Sequence, residues 1–293
     1  MNGTLIIDKP GGMTSHDVVK HMRRVLNTSR IGHLGTLDPM ATGVLPLCIG
    51  KATRVGQFFA TTPKEYTGEI RFGFATTTYD REGTPVDPEK PFLNTREELL
   101  SAMRQLTGSL DQTPPAYSAK RIGGVRSHDS ARRGEIVENA PVRVEVSVFD
   151  LVEFTPPSIQ FRVVCGGGTY IRSLAHDLGK HLGCGAHLTS LRRLHSGDFG
   201  IEKAVPLERA GISDITPLDE LFPLWPAIVV SGLEELRVRK GNPIPAEDGA
   251  GFVRILNKQG EFLAVAAVES GWARPRVVLT STTSVEAGGA SLH

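Results

Sequence analysis

The apolar positions of this chain follow two periods. Leu5-Ile6-Ile7 is a short apolar run closed by Asp8-Lys9-Pro10-Gly11-Gly12, which predicts a buried strand and then a turn holding Lys9 on a loop. Thr14 with Asp17 has the spacing of a capping box, and Val18, Val19, Met22, Val25 and Leu26 follow at helical spacing, with Lys20, Arg23 and Arg24 opposite. From Tyr66 to Phe74 the period is two: Tyr66, Ile70, Phe72 and Phe74 share one face, Thr67, Glu69 and Arg71 the other. Pro85, Pro88 and Pro91 make Tyr79 to Asn94 a loop. Thr95 and Glu98 then cap a helix with Leu99, Leu100, Met103 and Leu106 inward. Val142, Val144, Val146 and Val148, and after Pro156-Pro157 the set Ile159, Phe161, Val163 and Cys165, predict an antiparallel hairpin. Gly166-Gly167-Gly168 leads into a helix that buries Ile171, Leu174, Ala175, Leu178 and Leu182.

Two stretches fit neither period. Gly32 to Pro46 is broken by glycines and prolines around a lone acid, Asp38, so it reads as a rigid loop presenting one carboxylate. An Asp before Pro serves a turn more often than it serves chemistry, its side chain bonding nearby backbone N–H groups. Gln112 to Pro141 opens with Thr113-Pro114-Pro115 and carries Lys120, Arg121, Arg126, Arg132 and Arg133, which reads as a protruding basic insertion. Beyond Trp225 short apolar runs alternate with Gly/Pro/Asn turns and suggest a small all-β module, and the Ser/Thr/Gly/Ala-rich residues from Thr280 to His293 suggest a disordered tail.

Composition narrows the class. The 293 residues, 40% of them hydrophobic, suffice for a large domain and a small one. No run is long enough to cross a membrane as a helix, and no signal-like segment opens the chain. Cys48, Cys165 and Cys184 are odd in number and without a CxxC pair, which fits reduced thiols in a cytoplasmic protein and argues against redox chemistry.

The net charge of +1 hides a segregation. Lys20, Arg23, Arg24, Arg30, Lys51 and Arg54 form one basic block, residues 120–133 a second, and Arg162, Arg172, Lys180, Arg192 and Arg193 a third, while acids collect from Asp80 to Glu98 and Glu208 to Glu235. Such blocks suit a polyanion, although solvated charges cluster as well. Arg172 lies in the first turn of its helix, where the dipole opposes a cation. A carboxylate or phosphate partner, or a surface ion pair, would account for it.

Several chemistries lack their signatures. Gly50-Lys51-Ala52 has no Walker A spacing and no hydroxyl for magnesium, and Ile171 stands where a third dinucleotide-binding glycine belongs. The run His176, His181, Cys184, His187 lacks the HxE and CxxC patterns of nucleobase deaminases, and no GxSxG elbow occurs. No metal and no cofactor is expected.

With Asp38, Tyr66 and Arg172 in view, the chain resembles the TruB family of bacterial tRNA pseudouridine-55 synthases. Asp8 to Asp17 is similar to the family's first motif, and Gly32 to Pro46 to its catalytic motif. Lys64-Glu65-Tyr66 resembles the motif bearing the base-stacking tyrosine, Pro115 to Ala119 the start of the RNA-gripping thumb, and Gly168 to Leu174 the arginine motif. The resemblance implies an α+β fold, a mixed, mostly antiparallel sheet flanked by helices, with a catalytic domain over 1–224, a thumb at about 112–141, a small all-β PUA-like module over 225–280 and a tail over 281–293. It implies isomerisation of the T-loop uridine of tRNA to pseudouridine by a cytoplasmic monomer.

By the same resemblance Asp38 is the catalytic nucleophile, or the acceptor of a ribose proton, Tyr66 stacks on the extruded base, and Arg172 orients Asp38. His33, Tyr170, Leu191, Lys9, Lys120 and Arg132 are expected to contact RNA or the uridine, Leu191 as an apolar wall. One departure stands out. The family thumb commonly has a tyrosine and a glutamate where His128 and Asp129 precede Ser130-Ala131-Arg132, so its RNA contacts are expected to differ. Two competitors remain: an RNA chaperone with Asp38 purely structural, and the guide-RNA-dependent relatives that modify ribosomal RNA.

Overall fold

A computed structural model describes residues 1–59, 62–115, 140–249 and 251–279, and the backbone alone at 121–122 and 125–126. Most of the expected insertion, including Lys120, His128 and Arg132, and the expected tail lie outside the described residues.

Three strands open the chain: β1 (Gly3–Lys9), β2 (Ile31–His33) and β3 (Thr42–Ile49). They are followed by β4 (Lys64–Phe72), β5 (Gly108–Gln112), the short pair β6 (Arg121–Ile122) and β7 (Val125–Arg126), and a long hairpin of β8 (Val142–Thr155) with β9 (Ser158–Cys165). β10 (Ala186–Ser196), β11 (Phe199–Gly200), β12 (Val205–Pro206) and β13 (Thr216–Pro217) complete the large sheet. Its strand order is β12-β1-β3-β10-β4-β9-β8-β5, with β2, β11 and β13 attached to β3, β10 and β1. Only β1 with β12 and β10 with β3 run parallel, so the sheet is mixed and mostly antiparallel.

Helices α1 (Ser15–Val25), α2 (Arg96–Gln105) and α3 (Ile171–His181) cover this sheet. The first two begin with complete capping boxes, Thr14 with Asp17 and Thr95 with Glu98, which satisfy otherwise orphaned N–H groups. On α1 the burial falls on Val18, Val19 and Met22, whereas Val25, the last residue of the helix, is exposed. On α3, Ile171, Leu174, Ala175 and Leu178 are buried as the spacing requires, and so is Arg172.

At the crossing of β3 and β10, Gly43 pairs with Arg193 in the parallel ladder at φ +98°. A Cβ there would run into the Arg193 carbonyl. Gly43→Ala is therefore expected to lose about 2–4 kcal/mol of stability through clash and left-handed strain, measured by denaturant unfolding.

A second sheet, in the order β14-β16-β17-β18-β15, is built from β14 (Ala227–Val230), β15 (Ile244–Pro245), β16 (Gly251–Asn257), β17 (Phe262–Glu269) and β18 (Trp272–Val278). It also carries a helix, α4 (Gly232–Arg239), so this part is not all-β as the alternation suggested. The helix has little amphipathic contrast, exposing Leu233 and Leu236 and burying Val238, and hydrophobic periodicity had no stripe to read. An aromatic cluster joins the sheets: Phe59 stacks on Phe222, Phe222 on Trp225, and Trp225 on Phe252 of β16. No helix among the described residues is long and apolar enough to cross a membrane.

Candidate active site

The loop between β2 and β3 is tied down carbonyl by carbonyl. Gly35 O and Thr36 O accept from the Arg193 guanidinium, at 3.2 and 3.4 Å, and Leu37 O accepts from the Ser15 hydroxyl at 3.1 Å. Asp38 O accepts from Ala41 N, closing a turn, and Pro39 O accepts from Gly12 N at 2.8 Å and Lys9 Nζ at 3.2 Å. With its backbone committed on both sides, the loop fixes where the Asp38 side chain points.

Lys9 is the last residue of β1 rather than a loop residue, and it is fully buried, with Nζ donating to Pro10 O and Pro39 O. It lies beneath the loop instead of facing a ligand. Burial draws its ammonium down to about 8, against the upward pull of the Asp38 and Glu82 carboxylates.

Arg172 reaches Asp38 from the first turn of α3 with a two-pronged fork, Nη2 to Oδ1 at 2.9 Å and Nε to Oδ2 at 2.9 Å. Its Nη1 lies 3.3 Å from Asp80 Oδ2 and donates to Thr78 O at 3.1 Å. The sequence reading missed Asp80, which is buried and further held by the Thr78 hydroxyl at 2.6 Å and the Glu82 amide at 3.0 Å. One guanidinium thus serves two carboxylates, the loop after β4 supplying the second. Burial raises the Asp38 carboxyl above the usual carboxylate range; Arg172 counters it, and Asp80 adds to it.

Tyr66 is the third residue of β4 and is directly opposite Arg193 in the β4–β10 ladder. Burial raises its phenol, so it stays neutral at any working pH. Tyr170 caps α3, and its backbone is gripped on both sides by the Gln112 side chain, N–H to Oε1 at 2.7 Å and O from Nε2 at 3.0 Å. Gln112, buried at the end of β5, is a second residue that periodicity could not flag.

These groups enclose a cavity of about 430 Å³ whose wall includes His33, Asp38, Tyr66, Tyr170, Arg172 and Leu191. Lys64, Phe59 and Arg193 bound it more deeply. Burial and then the charge of Arg193 lower the His33 imidazole, leaving it neutral at pH 7. The cavity can seat a planar ring against Tyr66 with one carboxylate aimed at it. Of the other expected contacts, Lys9 is withdrawn from the cavity.

The third basic block does not form one phosphate-binding face. Arg172 and Arg193 are interior, Arg192 is forked to Asp8 at 2.7 and 3.0 Å, and Arg162 pairs with Glu65 at 2.7 Å.

The family model described as TruB family pseudouridylate synthase (N terminal domain) matches residues 23–171, and that described as tRNA pseudouridylate synthase B C-terminal domain matches residues 172–210. The chain is 42% identical over 281 residues to tRNA pseudouridine synthase B of Solibacter usitatus, covering 92% of this chain and 96% of that protein. It is 42% identical over 292 residues to the Thermobifida fusca protein of the same name, covering 96% and 99%. Among solved structures, a Cbf5-Nop10-Gar1 complex matches with a TM-score of 0.70 at 26% identity, over 95% of this chain and 85% of that one. An H/ACA RNP bound to a substrate RNA matches with a TM-score of 0.71 at 23% identity over the same shares, a likeness of fold.

Proposed function

This chain belongs to the TruB family and is a tRNA pseudouridine synthase, an isomerase, and from that premise we propose that it acts on the T-loop uridine at position 55, with Asp38 as its nucleophile. The observation that carries the assignment of Asp38 is the fork from Arg172, which holds both carboxylate oxygens at a cavity bordered by Tyr66.

A base that reacts at its glycosidic bond has to leave the stack before a protein can reach it. The cavity takes the extruded uracil against the Tyr66 ring, with Leu191 as an apolar wall and His33 and Tyr170 at its border. Asp38 then faces the ribose, where an ionised carboxylate either bonds to C1′ or removes the C2′ proton. Arg172 offsets the desolvation that such a buried anion suffers. Lys120 and Arg132 of the insertion are proposed to hold the phosphates of the T-stem-loop, and residues 225–280 to form a PUA-like RNA-binding unit beside the catalytic residues 1–224.

A monomer is proposed as the working unit. The three cysteines are free and buried, which agrees with a reducing compartment such as the cytoplasm.

The direct test is tritium release from a tRNA transcript labelled at uracil C5. Release stoichiometric with one T-loop uridine is expected, and modification found in ribosomal RNA instead would move the substrate to the guide-RNA class. Tyr66→Ala is expected to lower kcat at least tenfold more than it weakens tRNA binding, because one stacked base contributes only about 1–3 kcal/mol to affinity. Paired turnover and filter-binding measurements check this, and equal losses would contradict the stacking role.

A further inference from the structure

We propose that Arg193 is the cation that stabilises uracil as an anion after its bond to the sugar has broken, acting by its field from just beneath the cavity wall. The proposal rests on the synthase reading and concerns what that reading leaves open: Asp38 and Arg172 address the ribose, and nothing so far addresses the departing base.

When the C1′–N1 bond breaks, its electron pair stays on N1 and the uracil carries a full negative charge. C1′ is taken by an Asp38 oxygen, or the C2′ proton passes to Asp38. The ring turns, the electron pair at C5 forms the C1′–C5 bond, and the Asp38 oxygen leaves, or C2′ regains its proton. C5 then releases its proton to solvent and N1 takes one up. Atoms and charge balance without oxidant or reductant. Between the two bond changes Asp38 is esterified or protonated and so uncharged, Arg172 is matched by Asp80, and the uracil anion is left without a counter-charge from this pair.

Arg193 is suited to that interval. It is fully buried and donates to Val44 O at 2.7 Å, Gly35 O at 3.2 Å and Thr36 O at 3.4 Å, and among the described residues no carboxylate lies within ion-pair distance of it. Carbonyl dipoles hold this cation without neutralising it. Burying a charge without a counter-ion is costly, and neutral donors would tie the same carbonyls. The direct pairing of Arg193 with Tyr66 sets the charge against the residue on which the base is expected to stack. After burial, Arg193 is the foremost influence on the titration of His33, Lys64 and Tyr66, three groups of the same wall.

The test compares single-turnover consumption of the target nucleoside in T-stem-loop RNA bearing uridine or 5-fluorouridine. Fluorine makes the base a better leaving anion and lessens its need for an external cation. Arg193→Met is expected to slow uridine by about 10²–10³-fold, the range for losing one preorganised electrostatic group, and 5-fluorouridine by less than a tenth of that factor. Arg193→Lys, which keeps the charge without the fork, is expected to retain most of the uridine rate. Equal slowing of both RNAs by Arg193→Met, with Arg193→Lys no better, would show a loop clasp only and overturn the proposal. Should Arg193→Met fail to fold, Arg193→Lys decides. Its buried amine discharges at alkaline pH, so its uridine rate, relative to the parent on the same RNA, is expected to fall with rising pH more steeply than its 5-fluorouridine rate, and parallel profiles would overturn the proposal. A parent that consumes neither nucleoside would overturn the synthase reading and this proposal with it.

Discussion

Asp38→Asn will bring tritium release down to background, a loss of more than about 10⁴-fold in kcat, while tRNA affinity stays within about threefold. The substitution keeps the shape of the side chain and leaves the backbone turn from Ala41 N to Asp38 O in place. Arg172 still has Asp80 and Thr78 O as partners, so the fold does not depend on the lost charge. What disappears is the anion: a neutral amide neither bonds to C1′ nor accepts the C2′ proton. Tritium release and filter binding on the same preparation separate the two effects. Full turnover by Asp38→Asn would return Asp38 to the role of a turn residue and favour an RNA-binding protein without this chemistry.

Arg172→Met is expected to reduce turnover at neutral pH by about 10²–10³-fold and to move the acid limb of the pH profile upward. Removing one partner of a buried ion pair costs about 3–5 kcal/mol. Here two carboxylates would be left facing each other, one of them deeply buried. The signs follow directly. Asp38 works ionised, so kcat falls as pH drops through its pKa, and in the parent that limb already lies above the ordinary carboxylate range because burial outweighs Arg172. Without Arg172 the carboxyl rises further, and the ionised fraction at a given pH shrinks. A carboxyl with a raised folded-state pKa binds its proton more readily folded than unfolded, so stability falls as pH rises from acid through that range. Raising the assay pH is expected to recover part of the activity of Arg172→Met, and Arg172→Lys to lie between it and the parent. A pH profile superimposable on that of the parent would remove Arg172 from the control of Asp38.

The elements were largely legible in the sequence, because each rested on a local signal. The two capping boxes started α1 and α2, and valine alternation marked the β8–β9 hairpin. The loop around Asp38 was legible from its glycines and prolines, and an anionic partner for Arg172 from the opposing helix dipole. Asp80 was not, since it sits in a loop whose prolines and acids signal only irregular chain, and its meaning comes from a guanidinium 92 positions away. Lys9 looked like a loop cation because it stands within the turn signal, yet the strand runs two residues further than its apolar run and buries it. Arg192 and Arg193, adjacent and identical, have opposite environments because neighbouring side chains on a strand point to opposite faces. Charge counting treats them alike. Gln112 shows the same limit: only tertiary structure brings its amide to the backbone of Tyr170.

The position of β10 governs when the site can come into being during synthesis. This strand enters the sheet between β3 and β4, which precede it by more than a hundred residues, and it pairs with both. Until Ala186–Ser196 has left the ribosome, β3 and β4 have no common neighbour, and the loop carrying Asp38 lacks the guanidinium that closes it. Assembly of the cavity is therefore a late, long-range step of folding, of the kind that loop-closure entropy makes slow. A nascent chain halted before β10 holds Asp38, Tyr66 and Arg172 and yet has no active site.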